Sequence, residues 1–600
     1  MTTSTVSSPT NEEMAAFLKG MRDLILTETA AQRRQIHAQW AKPLPARVAD
    51  GYAIENVRLV DIRPNGQIEL ACTRNQSRFR PGDILNLNRS NPFFQPNITV
   101  SLDEDEETRL IVSSDFPIEW DKAFQEREGW VLDIDFLDLS SYVIGALAQA
   151  GDSLVGRTRI LPLLMGYSQA RIDSVLYGRG LEMGEALGLN YTQSESLANA
   201  YAADRAFLVQ GPPGTGKTRV LATLARALVS DGERVLVTAF THRAINNALN
   251  ALVKQEPDIP AIKVGQPARA DDLQVKNYDT FHESPLAEMS GGYVMGATPF
   301  ATQTKRLGGV EFDTVIFDEA SQITLPLAVM GMLAGQKYIF FGDQKQLPPV
   351  LTTRFTGGAF RDSVFGALTD RGFDDMLTET YRLNTTLTEW PSRHFYEGML
   401  VSTPVAANRR IDYPTPPTRL AHILDPDEPK VFWDLAHHGN RAYSRKEAYA
   451  VVDLITAVLE TGFPANEIGV VAPYRAQGRL IRNLLREHVP DTAVRRHIIT
   501  DTVERMQGQE RDLIILTLTT SNPGFAAAIA DFFFQPERLN VAVTRPRKKL
   551  IIVGSRHVLR AQSADPDLQA TIDLLADLLE SCTYFADHHD GTAQLWESEY

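Results

Sequence analysis

At 600 residues the chain is too long for one hydrophobic core, and about 100–200 residues per domain implies three to five units. Apolar residues make up 43% and charged residues 22%, ordinary for a globular protein, while only two cysteines, Cys72 and Cys582, exclude a disulfide scaffold, a four-cysteine zinc module and a cysteine-ligated iron–sulfur cluster. A net charge of −15 excludes a protein that coats duplex DNA with an all-basic surface, so any nucleic acid must be held in a local groove.

Residues 1–13 are polar, lack the basic and apolar regions of a secretory signal, and are expected to form a disordered tail. No apolar stretch is long enough to cross a bilayer, so a cytoplasmic protein with no membrane partner is expected. Met14, Phe17, Leu18, Met21, Leu24 and Ile25 recur at helical spacing. Val57 to Ile62, the turn Pro64-Asn65-Gly66, and Gln67 to Thr73 read as a β-hairpin. Ile84 to Leu87, Ile98 to Leu102 and Leu110 to Ser113 add short strands, and Asp103 to Glu107 read as a solvated acidic loop. Together they predict a small β-barrel. Helical periodicity is read again from 132 to 187.

From residue 200 strands and helices alternate. Ala206 to Val209, Arg234 to Thr238, Thr314 to Phe317 and Tyr338 to Phe341 are largely apolar runs suited to a parallel sheet covered on both faces. Ile468 to Ala472, Leu513 to Leu518 and Leu550 to Val553 form a second such set, which implies two α/β lobes. The Pro-rich span 403–430 reads as irregular and superficial.

Gly211, Pro212, Pro213, Gly214, Thr215, Gly216, Lys217 and Thr218 fit the phosphate-loop pattern in full, with Arg219 directly after them. The glycines let backbone N–H groups face a β-phosphate, Lys217 reaches the β- and γ-phosphates, and the following helix adds its positive end. The expected cofactors are ATP and Mg²⁺, with Thr218 and Asp318 as metal ligands. A strand from Thr314 runs into Asp318 and Glu319, where Glu319 is expected to polarise the attacking water.

Three motifs are more specific: Asp318-Glu319-Ala320-Ser321-Gln322, the run Gly342 to Pro349, and Arg538 to Arg545. With the phosphate loop, they resemble the superfamily 1 helicases, in the 5′-to-3′ branch containing the nonsense-mediated-decay helicase and its DNA-acting relatives. The resemblance implies an α/β fold with two RecA-like P-loop lobes, preceded by a helical stalk carrying a small β-barrel. The implied boundaries are a stalk at 14–45 and 120–184, a barrel at 46–119, lobes at 185–385 and 386–563, and a C-terminal helix and tail at 564–600. It implies that Gln193 contacts adenine, Glu510 contacts ribose, Gln346 senses the γ-phosphate, and Arg382 and Arg545 reach that phosphate from the second lobe. It assigns Thr241, His242, Asn246 and Thr298 to a nucleic-acid track in the first lobe, and Pro473, Tyr474, Gln477, Thr502 and Val503 to the second. Thr at such strand ends also caps helices. The sequence departs from the family at Thr380, Leu383 and Asn384, and at Pro546, which is expected to end or kink a following helix.

The activity so implied is an ATP-dependent helicase or translocase on single-stranded DNA or RNA. A nucleic-acid-gated or partner-gated ATPase that clamps or remodels without unwinding would share every ATP residue. The sequence leaves room for a protein partner supplying nuclease or other effector activity. The histidine pairs His437-His438 and His588-His589 read as solvated loops rather than metal ligands. Phe532, Phe533 and Phe534 read as core rather than as a base-stacking platform.

Overall fold

The computed structural model describes residues 8–63, 66–73, 75, 77–106, 108–114, 125–266, 272–353, 360 and 362–586. The expected tail at 1–7, the hairpin turn at Pro64-Asn65, Glu107 and the His588-His589 pair lie outside the described residues. The chain divides into two compact units, one of residues 1–209, 218–342 and 348–375, the other of residues 210–217, 343–347 and 376–600.

In the first unit a helix spans Asn11–Trp40. Its start is set by a capping box, in which the Thr10 hydroxyl accepts from Glu13 N and the Glu13 carboxylate accepts from Thr10 N at 2.7 Å. Helix therefore begins three residues before the expected tail ends. Six strands follow: β1 (Ala53–Ile62), β2 (Ile68–Ala71), β3 (Ile84–Asn88), β4 (Asn97–Asp105), β5 (Arg109–Ser113) and β6 (Trp130–Ile134). They close into a barrel in the order β1-β2-β5-β4-β3-β6, every neighbouring pair antiparallel. β6 overlaps the start of the span read as helical from 132 and lies within the stalk segment expected at 120–184. Trp130 and Leu132 join the barrel core with Val57, Leu85 and Val112, an alternation that a strand satisfies and a helix does not. Asp103 to Asp105 end β4 rather than a loop, and Arg109 binds Glu104 and Glu106 across that end.

An eight-stranded sheet follows, from β7 (Ala206–Gln210), β8 (Arg234–Thr238), β9 (Ala261–Val264), β10 (Lys276–Tyr278), β11 (Tyr293–Gly296), β12 (Phe312–Phe317), β13 (Gly335–Gly342) and β14 (Asp374–Met376). The order is β10-β9-β11-β8-β12-β13-β7-β14, and the pairings of β8 with β11 and β12, and of β12 with β13, are parallel. The helix Ser140–Asp152 packs Val143 and Ala146 against Met330 of the helix Leu325–Met332.

The second unit holds a short parallel pair, β15 (Glu379–Thr380) with β16 (Val401–Ser402), and a fully parallel sheet. The sheet's strands are β17 (Lys430–Asp434), β18 (Ile468–Ala472), β19 (Ile499–Thr502), β20 (Arg511–Thr517), β21 (Pro546–Gly554) and β22 (Thr583–Ala586), in the order β19-β18-β20-β21-β17-β22. Alternate residues serve opposite faces: Ile514, Leu516, Leu550 and Ile552 enter one core, and Leu513, Ile515, Ile551 and Val553 the other. The Pro-rich span is irregular but not superficial, because Ile411, Ile423 and Leu424 are buried in the second of these cores. A strand, not a helix, comes directly after Arg545. Pro546 opens β21, a strand-initial position that tolerates its missing N–H.

Candidate nucleotide site and nucleic-acid track

The phosphate loop joins β7 to the helix Lys217–Ser230. Gly214 and Gly216 have φ of +76° and +82°, in the left-handed region that favours glycine. Thr215 donates its hydroxyl to Pro212 O at 2.8 Å and closes the turn. The segment after β14 lies against this loop: Thr380 donates to Pro213 O at 2.8 Å, and Tyr381 N donates to Gly214 O at 2.8 Å. Each departure from the family pattern thus has a structural task. Thr380 holds the loop and Leu383 fills the core. Asn384 caps the helix Thr385–Phe395 and donates to Arg409 O and Lys548 O.

Arg382 does not point its guanidinium into the loop. Its Nε binds Glu510 at 2.5 Å and its Nη1 donates to Thr544 O at 3.1 Å. Arg545, 2% exposed, donates to Val541 O at 2.8 Å and to the Thr544 hydroxyl at 3.1 Å. The two expected phosphate-reaching arginines therefore meet at Thr544. Burial pushes the Glu510 carboxyl up, but Arg382 and Arg547 outweigh it and hold the carboxyl below its ordinary value. The expected ribose contact is thus a counter-ion for two arginines in this structure.

Gln346 donates to Asp343 at 2.8 Å. Asp343 also accepts from Gln210, from Lys345 N and from the Tyr396 hydroxyl, and burial raises its pKa above the ordinary carboxylate value despite these donors. Asn540 donates to Tyr396 Oη at 2.8 Å and to Lys345 O at 2.7 Å. Tyr396 and Asn540 were not among the expected site residues. Asn540 lies in the Arg538 to Arg545 motif, and its residue type was the only available signal.

In the first unit β12 delivers Asp318, 3% exposed, and then Glu319. Asp318 N donates to Thr238 O at the end of β8, and Glu319 N donates to Asp318 Oδ1 at 2.9 Å. Glu319 has φ of +51°, a left-handed backbone that costs a non-glycine residue about 1–3 kcal/mol and is typical of functional sites. Thr218 and Asp318 supply only oxygen, a donor set that fits a hard divalent cation. Among the described residues, the neighbouring Thr238 and Ser321 hydroxyls are buried without a hydrogen-bond partner.

Gln193 is 1% exposed and completes a capping box with Asn190 at the start of the helix Tyr191–Ala202. Arg219 donates to Leu187 O and Gly188 O, which ties the phosphate-loop helix to the same segment.

The expected track residues divide sharply by exposure. Thr241 is exposed and caps the helix His242–Gln255 through Ala244 N, with His242 at its first position. Thr298 is half-buried at the start of the helix Pro299–Thr302 and makes no side-chain cap. Pro473 and Tyr474 are half-buried, and the Tyr474 hydroxyl meets Thr520 at 2.9 Å. The others require correction. Asn246 is buried, donating to Asp272 at 2.5 Å and accepting from Lys263 at 2.7 Å. Gln477 is fully buried, its carbonyl accepting from Ser444 N and its amide donating to Ser444 O and Thr517. Thr502 and Val503 are also buried. Asn246 and Gln477 lie within helices and Thr502 ends β19, and the side chains of Asn246 and Gln477 are engaged inside the fold rather than presented at its surface. Of the phenylalanine run, Phe533 and Phe534 lie in the core, whereas Phe532 is 40% exposed under the Arg538 guanidinium. His437 is buried between Glu447 and Ser521, not in a solvated loop.

Two family models, each described as an AAA domain, match the chain, one over residues 188–290 and 293–354 and the other over residues 360–557. The DNA replication ATP-dependent helicase/nuclease DNA2 of Saccharomyces cerevisiae is 28% identical over 419 residues, which cover 65% of this chain and 27% of that protein. The Regulator of nonsense transcripts 1 homolog of Drosophila melanogaster is 28% identical over 422 residues, covering 62% of this chain and 35% of that protein. The chain thus spans about a third or less of the length of these two relatives. Among solved structures, Arterivirus nonstructural protein 10, a helicase, aligns over 88% of this chain and 82% of its own at 13% identity and a TM-score of 0.37. On the family models and the relatives, the region from residue 188 to residue 557 belongs to the superfamily 1 helicases.

Proposed function

We propose that this protein is an ATP-driven motor that moves 5′ to 3′ along single-stranded DNA or RNA. The observation that carries the reading is the convergence of Arg382 and Arg545 on Thr544, with Arg382's own backbone segment bonded to the phosphate loop. Phosphoryl transfer is served by cations around the γ-phosphate, and a finger arginine contributes about 10³–10⁵ in rate. Exchange of Glu510 and Thr544 for phosphate oxygens would draw both guanidiniums toward the nucleotide, and hydrolysis would return them. A bound γ-phosphate thereby becomes a conformational signal.

In this reading Lys217 binds the β- and γ-phosphates and Glu319 orients the attacking water. Thr218 and Asp318 hold Mg²⁺, which neutralises charge on the phosphates when bound. Gln193 contacts adenine and Gln346 senses the γ-phosphate. The exposed Thr241 and the half-buried Thr298 and Tyr474 contact the strand backbone, positioning it without reading sequence. The barrel, with the helices around it, serves as an accessory domain on a stalk.

The test is strand displacement from partial duplexes bearing a single-stranded tail at either the 5′ or the 3′ end. ATP-dependent displacement from the 5′-tailed substrate alone supports the reading. Strand-stimulated ATP hydrolysis without displacement from either substrate would replace it with a nucleic-acid-gated clamp.

A further inference from the structure

The loop of residues 435–444 joins β17 to the helix Arg445–Glu460. It leaves the carboxyl end of the second unit's parallel sheet, the edge at which open α/β sheets bind their ligands. Its inward side chains are polar and held. His437 Nε2 meets Glu447 at 2.6 Å, and His437 Nδ1 meets the Ser521 hydroxyl and the Asn440 amide, each at 2.8 Å. Ser444 N donates to Gln477 Oε1 at 2.8 Å. Ser521 N and Asn522 N both donate to Asn440 O, at 2.9 and 3.0 Å, and so pair the loop with the segment after β20.

That segment begins in strain. Thr519 has φ of +67°, and Thr520 N donates to Leu518 O at 2.6 Å, so residues 518–520 make a γ-turn whose central residue has positive φ, a rare form. Glu447 pins the turn by accepting from Thr519 N at 2.7 Å and from the Thr517 hydroxyl. The turn sets the Thr520 hydroxyl between two partners. It donates to Arg441 O at 2.8 Å and meets the hydroxyl of Tyr474, a residue of the expected track, at 2.9 Å. Strained backbone held by buried polar groups is typical of functional loops on a rigid scaffold.

The outward side chains are of another kind. Arg441, Tyr443 and Arg445 are exposed, Tyr443 by 58%. Among the described residues, these three side chains have no hydrogen bond, ion pair or ring contact. Residues 435–446 contain no acidic side chain, in a chain of net charge −15. Glu447, the first carboxylate after them, is fully buried and engaged with His437 and the turn.

We propose that this loop is a strand-binding element beside Tyr474, in which Tyr443 stacks on a base and Arg441 and Arg445 contact neighbouring phosphates. This role rests on the reading of the protein as a nucleic-acid motor. An exposed ring between two guanidiniums suits a single strand, because every unpaired base offers a π-face and the backbone charges repeat along the chain. Such contacts grip without reading sequence. An acidic peptide would use the arginines and leave the ring idle.

The test is binding of labelled single-stranded DNA and RNA to the full chain, followed by fluorescence anisotropy across a salt series. Tyr443→Ala should weaken binding by about 5- to 150-fold, the loss of one stacked base, and Tyr443→Phe should keep it. Arg441→Ala/Arg445→Ala should lower the slope of log affinity against log salt by about 1.4, two phosphate contacts at about 0.7 each. Arg441→Lys/Arg445→Lys should hold the slope, because it keeps both charges. All four variants replace exposed side chains, and thermal unfolding at the wild-type temperature reports that each is folded. Wild-type affinity in Tyr443→Ala and a wild-type slope in Arg441→Ala/Arg445→Ala overturn the element and leave the motor reading standing. The same result with loss of polyglutamate binding overturns it in favour of an acidic protein. If wild type binds neither strand, both readings fail together.

Discussion

Tyr396 donates its hydroxyl proton to Asp343 at 2.8 Å, although 53 residues separate them and both are buried. The same oxygen accepts from Asn540, 144 residues further on. Through this hub Gln346, the expected γ-phosphate sensor, shares Asp343 with a tyrosine that holds the helix leading to Arg545. Tyr396→Phe removes one donor from a buried carboxylate and should cost about 1–3 kcal/mol of stability. Denaturant unfolding of wild type and variant measures it. A loss below the error of that measurement would show that Asp343 is satisfied without the phenol.

Gly214→Ala tests the close approach at the phosphate loop. The added Cβ would stand 2.6 Å from Thr380 Oγ1 and would also meet Arg382 Cβ, on a backbone with φ of +76°. Strain of about 1–3 kcal/mol should appear as weaker nucleotide binding, by roughly tenfold or more, in a titration with a fluorescent ATP analogue. Gly508→Ala is the control, because its φ is +74° but open space surrounds its Cβ.

Glu319→Gln should leave nucleotide affinity near wild type and lower kcat by about 10²–10⁴, the usual contribution of a positioned base. Equilibrium binding and steady-state turnover separate the two effects. Turnover at the wild-type rate would remove Glu319 from the chemistry.

Arg545→Ala should lower kcat by about 10³–10⁵, and Arg545→Lys should not restore it, because an ammonium lacks the planar fork that binds Val541 O and Thr544 at once. Thermal unfolding run beside the kinetics distinguishes a lost finger from a lost fold.

Lys549 is fully buried on β21, where its ammonium donates to Asp425 O and Glu428 O, and burial pulls its pKa down from 10.5 to about 8. The unfolded lysine keeps its ordinary value, so the fold disfavours the charged form. Stability tied to this group is fully present above pH 10.5 and is lost as pH falls through about 8. The change is on the order of 3 kcal/mol at most. Lys549→Met should flatten that part of the stability profile, measured by denaturant unfolding across the window.

The central strands of both sheets were legible in the sequence because burial on both faces demands an unbroken apolar run, as in Ile468–Ala472. The phosphate loop and the Asp318-Glu319 pair were legible because their chemistry requires fixed residue types at short spacing. β6 was misread because its Trp130, Leu132 alternation is only five residues long and adjoins truly helical sequence. The Asp343–Tyr396–Asn540 hub was invisible because it is made of long-range hydrogen bonds, and an isolated Tyr or Asn carries no sign of its partner. The same limit explains Gln477, which the family resemblance assigned to the track and whose side chain is buried against Ser444 and Thr517.

The most direct test of the motor reading is steady-state ATP hydrolysis by the purified protein, alone and with single-stranded DNA, single-stranded RNA and duplex, with Glu319→Gln as the inactive control. Hydrolysis should rise several-fold or more with one of the single strands and fall by about 10²–10⁴ in the variant. Hydrolysis intact in wild type yet indifferent to every nucleic acid would contradict it.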